Sequence, residues 1–262
     1  MSAASSVRPV VLVTGAARRI GRAIALDLAA HGHDIALHCH QASAESAATS
    51  EELRALGARA EVFAADLADE AACRALVPAV AQRLGRVDAL VNNASRFAYD
   101  DAASAGPAEM DAHWRVNAAA PVLLARALHE HLAARDASGC VVNLLDQKLA
   151  NPNPDYFSYT LSKAALQSAT VMLAQAFAPR LRVCGVAPGV TLLSGDMSEA
   201  EFERAHRMTP LQRSSTPQDI AGAVRYLLGA RAVTGGTLLV DGGQHLAAQP
   251  RDVAFLAQAD RP

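Results

Sequence analysis

The sequence predicts an α/β chain folded as a single doubly wound parallel sheet of about seven strands. Short β-branched runs alternate with longer alanine-rich amphipathic stretches along the 262 residues. The short runs are apolar throughout rather than at every second position, the pattern of strands covered on both faces. No repeat, linker or low-complexity block divides the chain, so residues 1–262 are expected to form one domain.

In order, the strands are expected at Pro9–Thr14, Asp34–Cys39, Ala60–Ala64, Val87–Asn92, Gly139–Leu145, Leu181–Val186 and Thr237–Val240. Helical periodicity fills the intervals near 20–31, 43–56, 69–84, 107–134, 156–178 and 216–229. Two stretches read as irregular: Thr191–Gln212, polar and small, and the tail after Asp241-Gly242-Gly243. The first is expected to act as a mobile lid, with Leu192, Leu193 and Met197 as its apolar substrate contacts. The tail, 245–262, is longer than sheet closure needs and is expected to reach a neighbouring subunit's active site.

Composition narrows the function classes. The net charge is −2, which leaves no electrostatic footprint for nucleic acid or an anionic membrane. No apolar run approaches about 18 residues without a charge, and the start MSAASSVRPV lacks an apolar leader. Cys39, Cys73, Cys140 and Cys184 show no close pairing, as in a reduced, cytoplasmic protein. With 51% hydrophobic residues, a sizeable core forms without disulfides or a metal, and no metal site is expected. Of 24 basic residues only Lys148 and Lys163 are lysine, which makes the lysine at 163 the more informative, since arginine cannot give up a proton or tune a neighbour in the same way.

Thr14-Gly15-Ala16-Ala17-Arg18-Arg19-Ile20-Gly21 follows the first strand and opens the first helix. Gly15 permits a tight turn, Gly21 a close approach of helix to strand, and the free N–H groups of the helix start face a pyrophosphate. This is the dinucleotide-binding, Rossmann-type form of the fold. An NAD site places an acid at the end of the second strand. Here that strand ends Leu37-His38-Cys39-His40-Gln41, and Asp34 stands at its beginning, pointing away. Arg18, His38, His40 and Ser43 are placed to receive a 2′-phosphate instead, which favours NADPH. Asp66 and Leu67, after the third strand, lie near the adenine; Asn93, Ala94 and Ser95, after the fourth, lie along the ribose.

Asp146 stands thirteen positions before Tyr159, and Lys163 four positions after it. Tyr159 and Lys163 share one side of a helix, as suits a proton donor and the cation that tunes it. Tyr156, with no lysine four residues on, reads as packing at the helix start.

Together these segments closely resemble the short-chain dehydrogenase/reductase family from Val11 to Gly243. The resemblance takes in the glycine loop, Asp66, Asn92-Asn93-Ala94, Asn117 in Arg-Val-Asn-Ala, Tyr159-x-x-x-Lys163, Pro188-Gly189 and the closing Val-Asp-Gly-Gly. It implies that Tyr159 is the general acid, that Lys163 lowers its pKa and holds the nicotinamide ribose, and that Asn117 supports a water relay. It also implies cofactor contacts at Ile20, Pro188 and Gly189, and a homotetramer whose interface uses 107–134 and 156–178.

Two residues depart from the family pattern: Arg19 stands where a third glycine is usual, and Asp146 where a serine is usual. Both resemble the pteridine reductase subgroup, which includes bacterial dihydromonapterin and dihydrofolate reductases. That likeness implies that Arg19 meets substrate and cofactor phosphate, that Phe97 stacks on a pterin, and that Ser95 and Asp146 face it. Gln41 stands where that subgroup has arginine.

The carboxylate has a chemical rationale. Charge building on a ketone oxygen wants donors around it, and an ionised aspartate only accepts. A pterin is reduced at a ring C=N bond, takes its proton on nitrogen, and presents N–H groups to an acceptor. The expected activity is therefore NADPH-dependent reduction of a dihydropterin or dihydrofolate. The competing readings are a carbonyl (3-oxoacyl or sugar) reductase of the same family and a catalytically idle cofactor-binding protein.

Overall fold

Strands form at all seven apolar runs: β1 (Val10–Val13), β2 (Asp34–Cys39), β3 (Ala60–Ala64), β4 (Ala89–Asn92), β5 (Gly139–Leu144), β6 (Leu181–Pro188) and β7 (Thr237–Val240). They pair in parallel in the order β3-β2-β1-β4-β5-β6-β7. The computed structural model describes residues 8–193 and 197–258. Chain direction across the sheet reverses between β1 and β4, so a crevice opens beyond their carboxyl ends.

The helices are α1 (Arg19–Ala30), α2 (Ala44–Ala55), α3 (Glu70–Leu84), α4 (Pro107–Trp114), α5 (Ala120–Ala134), α6 (Phe157–Ala176), α7 (Glu199–Arg207), α8 (Pro217–Gly229) and the short α9 (Val253–Leu256). Alternation along β1 divides the core in two. Val11 and Val13 join Ile24 and Leu28 of α1, Leu53 of α2 and Ile220 and Val224 of α8. Val10 and Leu12 join Leu76 and Val80 of α3 and Leu124, Leu128 and Leu132 of α5 on the other face. Both faces being covered is why the strands carry no polar alternation. Asp34 sits at the far end of β2 from the crevice, where its carboxylate takes the Arg59 guanidinium at 2.6 Å.

Three regions differ from the sequence reading. The stretch 107–134 is not one helix: a π turn, Arg115–Ala119, separates α4 from α5 and carries Asn117. The stretch Thr191–Gln212 contains α7. Its start is a capping box, in which Ser198 and Glu201 exchange side-chain-to-backbone hydrogen bonds. That Ser-x-x-Glu signal was present in the sequence but lay inside a polar segment. Ser194, Gly195 and Asp196 of the expected lid lie outside the described residues, as do 259–262 of the tail. Finally, the described part of the tail forms a turn at Gln244–Leu246 and α9, both packed on their own chain.

Candidate active site

The glycine loop is stitched to the end of β4. Thr14 Oγ1 accepts the backbone N–H groups of Asn93 and Ala94, each at 3.0 Å. Asn93 Nδ2 donates to the Thr14 carbonyl at 2.9 Å and to that of Gly15 at 3.2 Å. Gly15 adopts φ +64, and a Cβ on Gly21 would stand 2.2 Å from the Gly15 carbonyl oxygen. Only glycine fits there. Arg19 has φ +54, a left-handed conformation that costs an L-residue about 1–2 kcal/mol. Its guanidinium donates to the Leu193 carbonyl at 2.9 Å, joining the loop to the segment above the cleft.

Arg18, His40 and Ser43 are exposed around the end of β2. Ser43 caps α2, accepting the Ser46 N–H. His40 lies 3.6 Å from Asp66, whose carboxylate also accepts the Ala68 N–H at 2.9 Å. Two residues of the expected cofactor set are used elsewhere. His38 is buried; its Nδ1 accepts the Gly15 N–H at 3.2 Å, and its Nε2–H then donates to the Ala65 carbonyl at 3.0 Å. Burial pushes its pKa down to about 4, so the ring is neutral and braces the loop rather than receiving phosphate. The Leu67 side chain is buried in the core cluster with Cys73, Leu76 and Val77 of α3.

At the carboxyl end of β5, the chain turns through Asp146 into a short 3-10 turn. Asp146 accepts the Lys148 N–H at 2.9 Å and, on its other oxygen, the Tyr159 hydroxyl at 2.8 Å. The acid therefore faces the tyrosine and the cleft, not solvent. Lys163 Nζ donates to the Leu144 carbonyl at 2.7 Å and lies 5.8 Å from the Tyr159 ring centroid. Burial raises the Asp146 pKa. Burial, then the Asp146 charge, holds that of Tyr159 well above its ordinary value. Burial takes Lys163 down to about 8. Burial comes first in that rise and the carboxylate in contact second, while the Lys163 ammonium points to a backbone carbonyl.

Asn117 is fully buried and spends its whole side chain inside the protein. Its Oδ1 lies 2.8 Å from Arg96 N and 3.2 Å from Ser95 Oγ; its Nδ2 donates to Arg96 O and Ser162 Oγ, both at 2.9 Å. The side chain ties the β4 loop to α6 and so positions both.

Asp146, Tyr159 and Lys163 lie in a cleft of about 240 Å³, whose lining does not include Arg18, His38, His40, Ser43, Asp66 or Asn117. Arg19, Ile20, Asn93, Ser95, Phe97, Asp146, Tyr159, Lys163, Pro188, Gly189, Leu192 and Met197 all line it. Of the expected substrate contacts, Leu193 stays outside the lining and meets the site only through its carbonyl.

Residues 15–245 match the family model described as Enoyl-(Acyl carrier protein) reductase. The chain is a short-chain dehydrogenase/reductase. The reductase has a TM-score of 0.88 and 43% identity to the FolM alternative dihydrofolate reductase 1 of Brucella canis, solved in complex with NADP, over 94% of this chain and 97% of that one. It is 33% identical to pteridine reductase 1 of Leishmania tarentolae, over 92% of this chain and 98% of the relative. It is also 35% identical to the putative ketoacyl reductase 2 of the granaticin polyketide synthase of Streptomyces violaceoruber, over 91% and 96%.

The reductase's residues fit a nicotinamide dinucleotide. Gly15 and Gly21 let the loop close tightly on itself and on Asn93, where a Cβ would collide, and the N–H groups at the start of α1 suit a pyrophosphate. Lys163, Tyr159, Asn93 and Gly189 line the cleft where the nicotinamide half would lie; when bound, that group supplies a hydride.

Several lining residues of the reductase escaped the sequence reading. Tyr156 does more than pack: its ring stacks on Phe97 at 4.4 Å, and Phe97 meets Tyr159 edge-on at 4.8 Å. Lys148, Gln147, Gln244 and Asp252–Ala254 complete the wall. The scarcity of lysine could have flagged Lys148. Nothing local could have flagged Asp252, since the tail reaches this chain's own cleft.

Proposed function

We propose that this reductase reduces a pterin ring, taking a dihydropterin or dihydrofolate to the tetrahydro form with NADPH. The observation that carries this reading is the Asp146 carboxylate on the Tyr159 hydroxyl, inside a cleft that Arg19 and Phe97 also line. Both acidic groups hold their protons above their ordinary ranges. In this reading Tyr159, whose hydroxyl Asp146 holds by accepting its hydrogen bond, donates its proton to the ring nitrogen next to the reduced carbon and recovers it from solvent. An ionised Asp146 accepts from the ring's N–H and amino groups and sets its orientation. Phe97, 47% exposed, offers a flat apolar face to the ring. Arg18, His40 and Ser43, exposed around the end of a strand that itself closes without an acid, support a 2′-phosphate and hence NADPH.

A homotetramer accompanies this reading. It is supported by the apolar side chains left exposed along α4 and α6, including Met110, Trp114 and Leu161. Among the described residues no helix is long and apolar enough to cross a membrane, in keeping with the proposed cytoplasmic location.

A second reading, carbonyl reduction, draws on the likeness to the putative ketoacyl reductase. Initial rates with NADPH and NADH against dihydromonapterin, dihydrobiopterin, dihydrofolate and a β-ketothioester decide between them. Turnover of the thioester alone would end the pterin reading.

A further inference from the structure

The C-terminal segment brings a second carboxylate to the cleft. Asp252 lines it alongside Asp146, Tyr159 and Lys163. Four contacts hold it in place. Its Oδ1 accepts the Ala254 N–H at 3.1 Å as the cap of α9, and its Oδ2 lies 3.3 Å from Lys148 Nζ. Its own N–H donates to the Asp155 carboxylate at 2.7 Å, and the preceding Arg251 donates to both oxygens of Asp155 at 2.8 and 3.0 Å. Tyr99 packs edge-on against Phe255 one turn later. The Asp252 side chain is 22% exposed and that of Lys148 only 5%. The acid, not the lysine, is thus what a ligand meets.

Beyond Asp252 lies a small annex of about 20 Å³, shared with the main cleft through Gln147, Gln244 and Asp252 and walled further by Asn151, Asn153 and Gln249. A water needs about 10–15 Å³, so the annex takes a hydroxyl group and not an aromatic ring. Its side-chain amides offer donors and acceptors without charge. Lys148 is the only cation among its lining residues, and its ammonium is already engaged by the Asp155 carbonyl and by Asp252. A ligand carboxylate placed here would meet the Asp252 carboxylate, with no further cation among the lining residues to balance it.

Building on the pterin reading, we propose that Asp252 is a specificity-determining residue: its carboxylate accepts a hydroxyl from the substituent carried by the heterocycle and disfavours a substituent ending in a carboxylate. The chemical class selected is a pterin with a short hydroxylated side chain. The choice is made by a segment that reaches the cleft from the far end of the chain.

The test is calorimetric titration of the NADP+-loaded enzyme with three oxidised pterins: 6-methylpterin, a 6-polyhydroxyalkyl pterin and 6-carboxypterin. The wild type is expected to bind the hydroxylated ligand at least tenfold more tightly than either of the others. Asp252→Asn retains a capping residue for α9 while turning a donor toward the ligand. It should cut the preference over 6-methylpterin to under threefold and raise 6-carboxypterin affinity. Asp252→Ser, another capping residue, should lose the same preference, and thermal unfolding checks that both variants fold. An unchanged preference, or equal weakening of all three ligands, overturns the inference. If 6-methylpterin binds and the ranking is flat, only this inference falls; if no pterin binds the wild type, the pterin reading falls with it.

Discussion

Tyr159 donates its hydroxyl to the Asp146 carboxylate at 2.8 Å, and burial together with that carboxylate keeps the proton on the phenol. A phenol beside an ammonium tends toward tyrosinate, whereas a buried phenol beside a carboxylate keeps its proton. The Lys163 ammonium is turned to the Leu144 carbonyl, and burial with the carboxylate keeps the phenol protonated.

Asp146→Ser tests the consequence for chemistry. Pterin turnover is expected to fall by about 100-fold or more, within the range usual for a positioned acid–base group, while any ketone turnover persists or improves. Removing the negative charge also removes an upward push on Tyr159, so the basic limb of the kcat/KM profile should move to lower pH. A pH–rate series on both variants reads this directly, and an unmoved limb would place the titrating group elsewhere.

Burial of Lys163 should be visible in stability. Its pKa is about 8 in the folded protein against 10.5 for the free side chain. Between those values the unfolded chain binds the proton that the folded chain has lost, so stability rises as pH increases from 8 toward 10.5. Below pH 8 the full penalty applies, roughly 3 kcal/mol at about 1.4 kcal/mol per pH unit. Urea unfolding of the cofactor-free protein should show this rise, and Lys163→Met should abolish it together with turnover.

His38 carries the opposite end of the pH range. With a folded value of about 4 against 6.5, it holds fewer protons when folded than unfolded within that window. Its contribution, again about 3 kcal/mol, is therefore lost as pH falls from 6.5 to 4. His38→Phe should flatten this acid limb. It also removes the acceptor for the Gly15 N–H, so dinucleotide Kd should rise about tenfold, the equivalent of about 1.4 kcal/mol.

Asp100 positions the catalytic helix from outside it. The first residue before α6, Tyr156, has φ +53 and no capping side chain. Asp100 takes that role instead, accepting the Ser158 N–H at 3.0 Å and the Ser158 hydroxyl. Asp100→Ala is expected to cost about 1–2 kcal/mol, as for lost N-caps, and to lower kcat by displacing Tyr159 while leaving dinucleotide Kd within twofold. Thermal melts with paired kinetics check both parts.

The sheet, its strand boundaries to within two or three residues, and the crevice at the β1–β4 reversal were legible in the sequence. They follow from strand and helix periodicity and from glycines at a tight turn. The pairing of Asp146, Tyr159 and Lys163 was legible for a similar reason: two lie one helical turn apart, and the third ends the neighbouring strand. The stretch 191–212 reads as irregular in the sequence because α7 is strongly polar and only its capping box announces it. The π turn at Arg115–Ala119 carries no local signal that separates it from the helices it joins.

By itself the sequence determined what short-range order can encode: the fold class, the phosphate cradle and the identity of the proton-handling groups. Tertiary structure alone decided which neighbour each group answers to. Lys148 reaches Asp252 across 104 positions, and Ser158 reaches Asp100 across 58. Periodicity extends over a turn or a strand, whereas desolvation and charge contact depend on which distant segments the packed layers bring together. For that reason the direction of the Tyr159 shift, the internal duty of His38 and the arrival of Asp252 could be read only from the folded chain.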